Sequence, residues 1–422
     1  MIKRFKKFLK AFGPGFITGA SDDDPSGIAT YSQTGALFGF NQLWTALYSF
    51  PLQTAIQEMC GRIGMVTGKG LSGVVRKHYS ARLLYGMVFL LIVANTINIG
   101  ADLGAMASSL QLLLPIPFIF LLIGMTVITL ILEIFVSYRV YSRFLKFLAL
   151  TLLAYVITAL IVAHDWTHIV SSTLIPSFVL SKEYILNIIA ILGTTISPYL
   201  FFWQADEEVE EEIAKGKLTM TGKGTPKITH KDIREMRLDT LIGMFFSNVI
   251  MFFIILTAAS TLGKNGINHI ETADQAALAL RPLGGNFAYL LFTLGIVGTG
   301  MLSVPILAGS ASYAVSEAFG WRSGLYRKLK RAHGFYGVIT IATLIGILIN
   351  FTPIKPFQML YYTAVLNGIA APPLMILILK ISNNKQIMGS YTNSPLSNFL
   401  GWFITFVMAL ASLIMLLSLI YS

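Results

Sequence analysis

The sequence predicts an all-α, polytopic membrane protein whose two halves cross the bilayer in opposite directions around a pair of broken helices. Three observations carry this. The chain of 422 residues is 55% hydrophobic and only 12% charged, with a mean hydropathy of +0.70, which places it among membrane proteins. Eleven apolar runs are long enough to span a bilayer. Two of them are interrupted at their middles by proline and polar residues.

The runs fall at about 12–37, 41–62, 82–113, 117–137, 144–163, 184–208, 238–262, 285–318, 335–351, 356–380 and 396–420. The ninth is the shortest. Met1 to Lys10 resembles the start of a signal peptide, but the apolar stretch after it is too short before Asp22, and it is read as mature protein. Ile2, Phe5, Phe8 and Leu9 alternate with Lys3, Arg4, Lys6, Lys7 and Lys10, so residues 2–10 are expected to lie in the membrane interface as an amphipathic helix.

Of the 31 Lys and Arg, 27 lie in the N-terminus and in the loops after spans two, four, six, eight and ten. By the positive-inside rule these segments are cytoplasmic, and the C-terminus is external. The formal charge of +11 is therefore a topology signal and not a nucleic-acid signature. The single cysteine, Cys60, excludes an intramolecular disulfide and a cysteine-based zinc site. The six histidines fall at predicted loops or span ends, without metal-site spacing; His164 and His168 come nearest to it.

The first span contains Ser21-Asp22-Asp23-Asp24-Pro25-Ser26-Gly27. An Asp at the bilayer centre costs roughly 2.5–3.5 kcal/mol on insertion scales. Pro25 removes a backbone donor and Gly27 weakens the helix. Such backbone survives at membrane depth only where protein or a wet cavity surrounds it. An unwound acidic segment there reads as a cation site. The sixth span breaks at Thr194-Thr195-Ile196-Ser197-Pro198-Tyr199. Because five spans separate the starts of the two broken ones, they cross in opposite directions. Paired broken helices in antiparallel halves point to an inverted-repeat secondary transporter. The expected organisation is one transmembrane domain over 1–422, with repeats at about 11–165 and 184–380 and a final helix at about 396–420.

Gly13-Pro14-Gly15-Phe16, Asp24-Pro25-Ser26-Gly27, Gly39-Phe40 with Leu43-Trp44, and Gly61-Arg62 with Gly64 and Thr67-Gly68-Lys69 together resemble the first two helices of the NRAMP metal transporters. Ala101-Asp102-Leu103 in the third span extends the resemblance. It implies a LeuT-like inverted-repeat fold plus an eleventh helix, with helices one and six unwound at mid-membrane. That family reads Asp-Pro-Gly-Asn in helix one and Met-Pro-His in helix six. Here the Asn is Gly27, the Met is Ser197 and the His is Tyr199. A second helix-six histidine is Gln204, a helix-three glutamate is Ala105, and an acidic residue one heptad before Asp102 is Asn95. The ninth span has no arginine.

Replacing a soft thioether by a hydroxyl leaves hard oxygen ligands, which suit Mg²⁺, Mn²⁺ or Ca²⁺. The pattern resembles NRAMP-related magnesium transporters. The expected ligands are the Asp24 carboxylate, the Ser197 hydroxyl and backbone carbonyls near Ser21 and Thr194, with Asp22 and Asp23 adding charge. Asn95, Asn98 and Asp102 share a helix face, either as a polar path or as interhelical packing. Thr363 and Asn367 are further cavity candidates, as are Gly27, Tyr199 and Gln204. The missing histidines argue against proton coupling.

The expected activity is alternating-access transport of Mg²⁺ or Mn²⁺, with Ca²⁺ a further candidate. The partners are the ion and the lipid bilayer; no cofactor, nucleic acid or obligate protein partner is expected. Three alternatives stand beside it: a proton-coupled Mn²⁺/Fe²⁺ importer, a sodium-coupled amino-acid transporter, and an intramembrane aspartyl protease using Asp24 and Asp102. The acidic run Asp206 to Glu212 is expected to pair with Lys215, Lys217, Lys231, Arg234 and Arg237, with a cation-attracting vestibule as the alternative.

Overall fold

The structure is a computed structural model that describes residues 13–136, 150–179 and 181–420. The amphipathic segment expected at 2–10 lies outside the described residues, as does the start of the fifth span. Along the chain run α1 (Pro14–Asp22), α2 (Pro25–Phe38), α3 (Trp44–Thr67), α4 (Leu71–His78), α5 (Ala81–Leu110), α6 (Phe118–Phe135), α7 (Leu153–Val162) and α8 (Trp166–Leu174). They are followed by α9 (Lys182–Thr195), α10 (Pro198–Ala214), α11 (His230–Thr261), α12 (Ala288–Phe319), α13 (His333–Gly346), α14 (Pro356–Asn383) and α15 (Pro395–Ile420). Each expected span has its helix or pair of half-helices.

Among the described residues, eight helical segments are long and apolar enough to cross a membrane. The other three spans fall short for local reasons. The first is cut into halves of 9 and 14 residues. In α3, Gln53, Gln57, Glu58 and Arg62 dilute the apolar character. The described helix of the fifth span runs only over Leu150–Val162.

The two breaks share one local grammar. At the first, Asp23 leaves the helix (φ −85°, ψ 50°) and Asp24 is extended (φ −69°, ψ 173°). At the second, Ile196 leaves (φ −117°, ψ 63°) and Ser197 is extended (φ −84°, ψ 136°). In both, a proline then occupies the first helical position, where its missing N–H costs nothing. Asp24 caps α2 by accepting from the Gly27 amide at 2.8 Å.

The broken helices are the buried centre. The apolar window of α9–α10 is 83% buried, against 28% for α15, which turns large apolar side chains such as Phe399 and Phe406 outward. Backbone meets backbone where these helices pack. A Cβ on Gly19 of α1 would lie 2.2 Å from the Gly243 carbonyl of α11. One on Gly64 of α3 would lie 2.1 Å from the Ala205 carbonyl of α10. Only glycine permits either approach. Polar pairs a heptad apart join α5 to α12: Ser303 donates to Asp102 at 2.8 Å, and Asn95 donates to Ser310 at 2.8 Å. The pairing order makes these helices antiparallel.

The acidic run differs from expectation. It continues α10 to Ala214, and Asp206, Glu208 and Glu212 are buried. Lys215 pairs with Glu211 at 3.5 Å and Lys217 with Glu212 at 3.8 Å. Lys231 pairs instead with Glu235, and Arg237 with Glu58. The helical repeat explains the difference, because it turns Asp206 and Glu210 towards α12 and not towards the basic loop. Glu210 accepts from the Tyr313 hydroxyl of α12 and, at 2.6 Å, from the Leu325 amide.

Candidate metal site

The two breaks face each other at the centre of the fold. Ser26 at the start of α2 meets Thr194 near the end of α9, hydroxyl to hydroxyl at 3.0 Å. Tyr199 of α10 reaches back to donate to the Ser21 carbonyl of α1 at 3.2 Å. The later residue on one chain segment thus meets the earlier one on the other, as opposed crossing directions require. Ser21, Asp22, Asp23, Asp24, Asn98, Asp102, Thr194, Ser197 and Tyr199 are all exposed by 1% or less. The centre is therefore closed to both faces.

Asp24 is the focus. One carboxylate oxygen accepts from Ser26 at 2.6 Å and from the Gly27 amide at 2.8 Å. The other faces Tyr199 at 3.3 Å and Asn98 at 3.4 Å. The first pair is tight and the second is long for hydrogen bonds. The second oxygen is thus held only loosely by its donors. Its partners are an oxygen from α10 and a nitrogen from α5.

The three consecutive aspartates diverge. Asp22 turns to α3 and α11, where Gln53 and Ser247 each donate to one oxygen at 2.6 Å. Asp23 receives only a 3.4 Å contact from Ser247. Asn248 donates to Gln53 at 2.7 Å and accepts from Ser49 at 2.8 Å, which completes this polar patch. Among the described residues no three His, Cys, Asp or Glu side chains gather around one metal position. One oxygen each of Asp22, Asp23, Asn98 and Asp102 is nonetheless buried without a hydrogen-bond partner. Unpartnered buried acceptors are costly, and a cation or its water shell would relieve them.

The other expected residues are placed as follows. The Ser197 hydroxyl shares its proton between the Gly193 and Thr194 carbonyls at 2.8 and 2.7 Å, so it folds back on the last turn of α9 with its lone pairs open to a cation. A Cβ on Gly27 would approach the Asp22 carbonyl at 3.2 Å and the Thr194 hydroxyl at 3.5 Å, so Gly27 lines the gap between the breaks. Asn98 joins Asp24, whereas Asn95 and Asp102 bond to α12. Gln204 lies further along α10 and donates to Glu208 at 2.9 Å, away from the breaks. Thr363 donates to its own helix at the Leu360 carbonyl, and Asn367 is buried on the same helix with its amide nitrogen unpartnered.

Sequence reasoning missed Ser26, Gln53 and Ser247. Ser26 was legible as part of an Asp-Pro-Ser-Gly helix start. Ser247-Asn248 was legible as a polar pair inside an apolar run.

The fold and this centre define an inverted-repeat membrane transporter. The Nramp family model, natural resistance-associated macrophage protein-like, matches residues 15–418. The chain belongs to that family. It is 25% identical to the divalent metal cation transporter MntH of Caldanaerobacter subterraneus, over 98% of this chain and 94% of the relative. It is likewise 25% identical to MntH of Bacillus subtilis, over 96% and 91%. Among solved structures, the Eremococcus coleocola manganese transporter superposes with a TM-score of 0.72 at 18% identity, covering 97% of this chain and 86% of that one. The nucleobase-cation symporter Mhp1 superposes with a TM-score of 0.59 at 13% identity, covering 97% and 90%. These relatives are transporters, and the aspartyl protease alternative falls away.

Proposed function

We propose that this protein carries divalent cations across the membrane by alternating access, with Asp24 as the charged ligand and Mg²⁺ or Mn²⁺ as cargo. The observation that carries this reading is the loosely held second oxygen of Asp24, buried where the two breaks meet. The names of the MntH relatives support the cargo class. Thr194 and Ser21 contribute carbonyls, Ser197 its hydroxyl, and Asp22 and Asp23 negative field. A hydroxyl at 197 and no side chain at 27 favour a hard ion that keeps part of its water shell. Tyr199 and Gln204 cannot exchange protons near neutral pH as histidines would, so transport runs down the cation's own gradient. The aspartates of the first break would repel an amino-acid carboxylate, which disfavours a sodium-coupled amino-acid transporter. The distribution of basic residues supports a cytoplasmic N-terminus and an external C-terminus in the cell membrane, and one transmembrane domain of two repeats plus α15.

The test is purified protein in liposomes, with Mg²⁺, Mn²⁺ and Ca²⁺ uptake and internal pH followed together. Mg²⁺ uptake without matching acidification is expected. Mn²⁺ uptake with no response to Mg²⁺ would sink the hard-site reading, and stoichiometric acidification would sink the uncoupled one.

A further inference from the structure

A second cluster of carboxylates lies along α10, away from the breaks. Asp206 is eight residues beyond Pro198, about 12 Å along the helix. It is 1% exposed, and neither carboxylate oxygen has a hydrogen-bond partner. Both oxygens press on Gly70, just before α4. A Cβ there would lie 2.3 and 2.5 Å from them. Gly70 has an ordinary φ of −69°, so glycine is needed there for room and not for backbone conformation.

The same Gly70 holds a second buried acid. Its amide donates to Glu317 of α12 at 2.8 Å, and the Gly73 amide donates to the other Glu317 oxygen at 2.8 Å. Two carboxylates from different helices thus flank one glycine. The positive end of α4 offsets the charge on Glu317. Of the cations nearby, Arg76 donates to the Glu317 backbone carbonyl at 3.3 Å, and Lys69 adjoins Gly70 in sequence. Glu210, one turn along α10, is taken up by Tyr313 and Leu325. Of these three acids Asp206 alone receives no donor, and as a carboxylate it would be stabilised there by a positive partner.

We propose that Asp206 and Glu317 form a second site for a divalent cation of the oxygen-ligated class. The Glu317 oxygens each keep a lone pair beyond their amide bonds, so the pair offers four oxygens to one ion. The site stands on the same helix as Tyr199, two turns from the breaks, and serves as a station between the centre and that end of α10. This rests on the reading that the chain carries divalent cations.

Mn²⁺ binding to the full-length protein in detergent, counted by electron paramagnetic resonance, tests it. Wild type is expected to bind two ions per chain, Asp24→Asn one, Asp206→Asn one, and the double variant none. Glu317→Gln should weaken the second ion at least tenfold. Thermal midpoints measured on the same samples identify variants that fail to fold; Asp206→Asn removes no hydrogen bond seen in the structure and carries the test if Glu317→Gln misfolds. A wild-type count of one ion, lost in Asp24→Asn and kept in Asp206→Asn, would overturn the second site and leave the central one standing. Loss of an ion in Asp206→Asn but not in Asp24→Asn would overturn the central reading and leave this site standing.

Discussion

Ser26 and Thr194, 168 residues apart, join the two breaks hydroxyl to hydroxyl at 3.0 Å. Ser26 spends its only proton on the Asp24 carboxylate at 2.6 Å, so Thr194 is the donor between them. The Asp24 carboxylate of one half-helix pair is thereby oriented by the other. Ser26→Ala removes one of the two tight donors to Asp24 and the only side-chain link seen between Asp24 and Thr194. A hydrogen bond to a charged group is worth about 1.5–3 kcal/mol, so the apparent KM for the ion should rise at least several-fold while the protein stays folded. Uptake kinetics in liposomes check this; an unchanged KM would show that the link does not orient the ligand.

Asp24 has two separable roles. It caps α2 through the Gly27 amide, and it supplies the central charge. Asparagine is as good a cap as aspartate, so Asp24→Asn should keep α2 capped and the protein folded. Transport should nevertheless be lost. Thermal melting and ion uptake on the same preparation separate the roles, and full flux in the folded variant would mean that the site lies elsewhere.

Ser197 tests selectivity. Ser197→Met exchanges a hydroxyl for a thioether and gives up the single donation shared between the Gly193 and Thr194 carbonyls, costing about 1 kcal/mol. Competition should shift from Mg²⁺ towards softer ions such as Cd²⁺. Unchanged competition would mean that position 197 does not set the preference.

Gly19 tests the packing that seats α1. Gly19→Ala drives a methyl into the Gly243 carbonyl, and overpacking of this kind costs about 1–3 kcal/mol. The thermal midpoint should fall, and Gly243→Ala, which strikes the Gly15 carbonyl at 2.3 Å, should behave alike. A midpoint at the wild-type value in both would show that α1 is not held by this contact.

Ser303 tests the α5–α12 seam. It is the one hydrogen-bond donor seen on Asp102, whose other oxygen already lacks a partner. Ser303→Ala leaves the whole carboxylate unpartnered at a cost of about 1–3 kcal/mol. Ser303→Thr keeps the hydroxyl and should restore the melting temperature if the bond, and not side-chain volume, is what matters.

The breaks were legible because proline and charge at membrane depth have few physical explanations, and Asp24-Pro25 and Ser197-Pro198 each mark a helix start. Span positions followed from hydropathy for the same reason. Side-chain direction was not legible. Asp22, Asp23 and Asp24 are adjacent in sequence, yet they leave the helix end towards different neighbours, because Asp23 and Asp24 step out of the helical repeat. The acidic run misled for the opposite reason. Its helix persists, so a charge run expected to pair with the basic loop is sorted face by face, with Asp206 turned in and Glu211 paired with Lys215.

The Asp22 partners set an order of events during synthesis. Gln53 follows it by 31 residues and Ser247 by 225. At about 5–20 residues per second, Ser247 emerges roughly 10–45 s after Asp22. Until then the first span carries three carboxylates without the α11 groups that receive Asp22 and Asp23. Gln53 on α3 is the earlier of the two Asp22 donors, so Asp22 has one partner once α3 is made and both only when α11 arrives. An acidic first span thus ties its own settling to a helix made more than two hundred residues later in the chain.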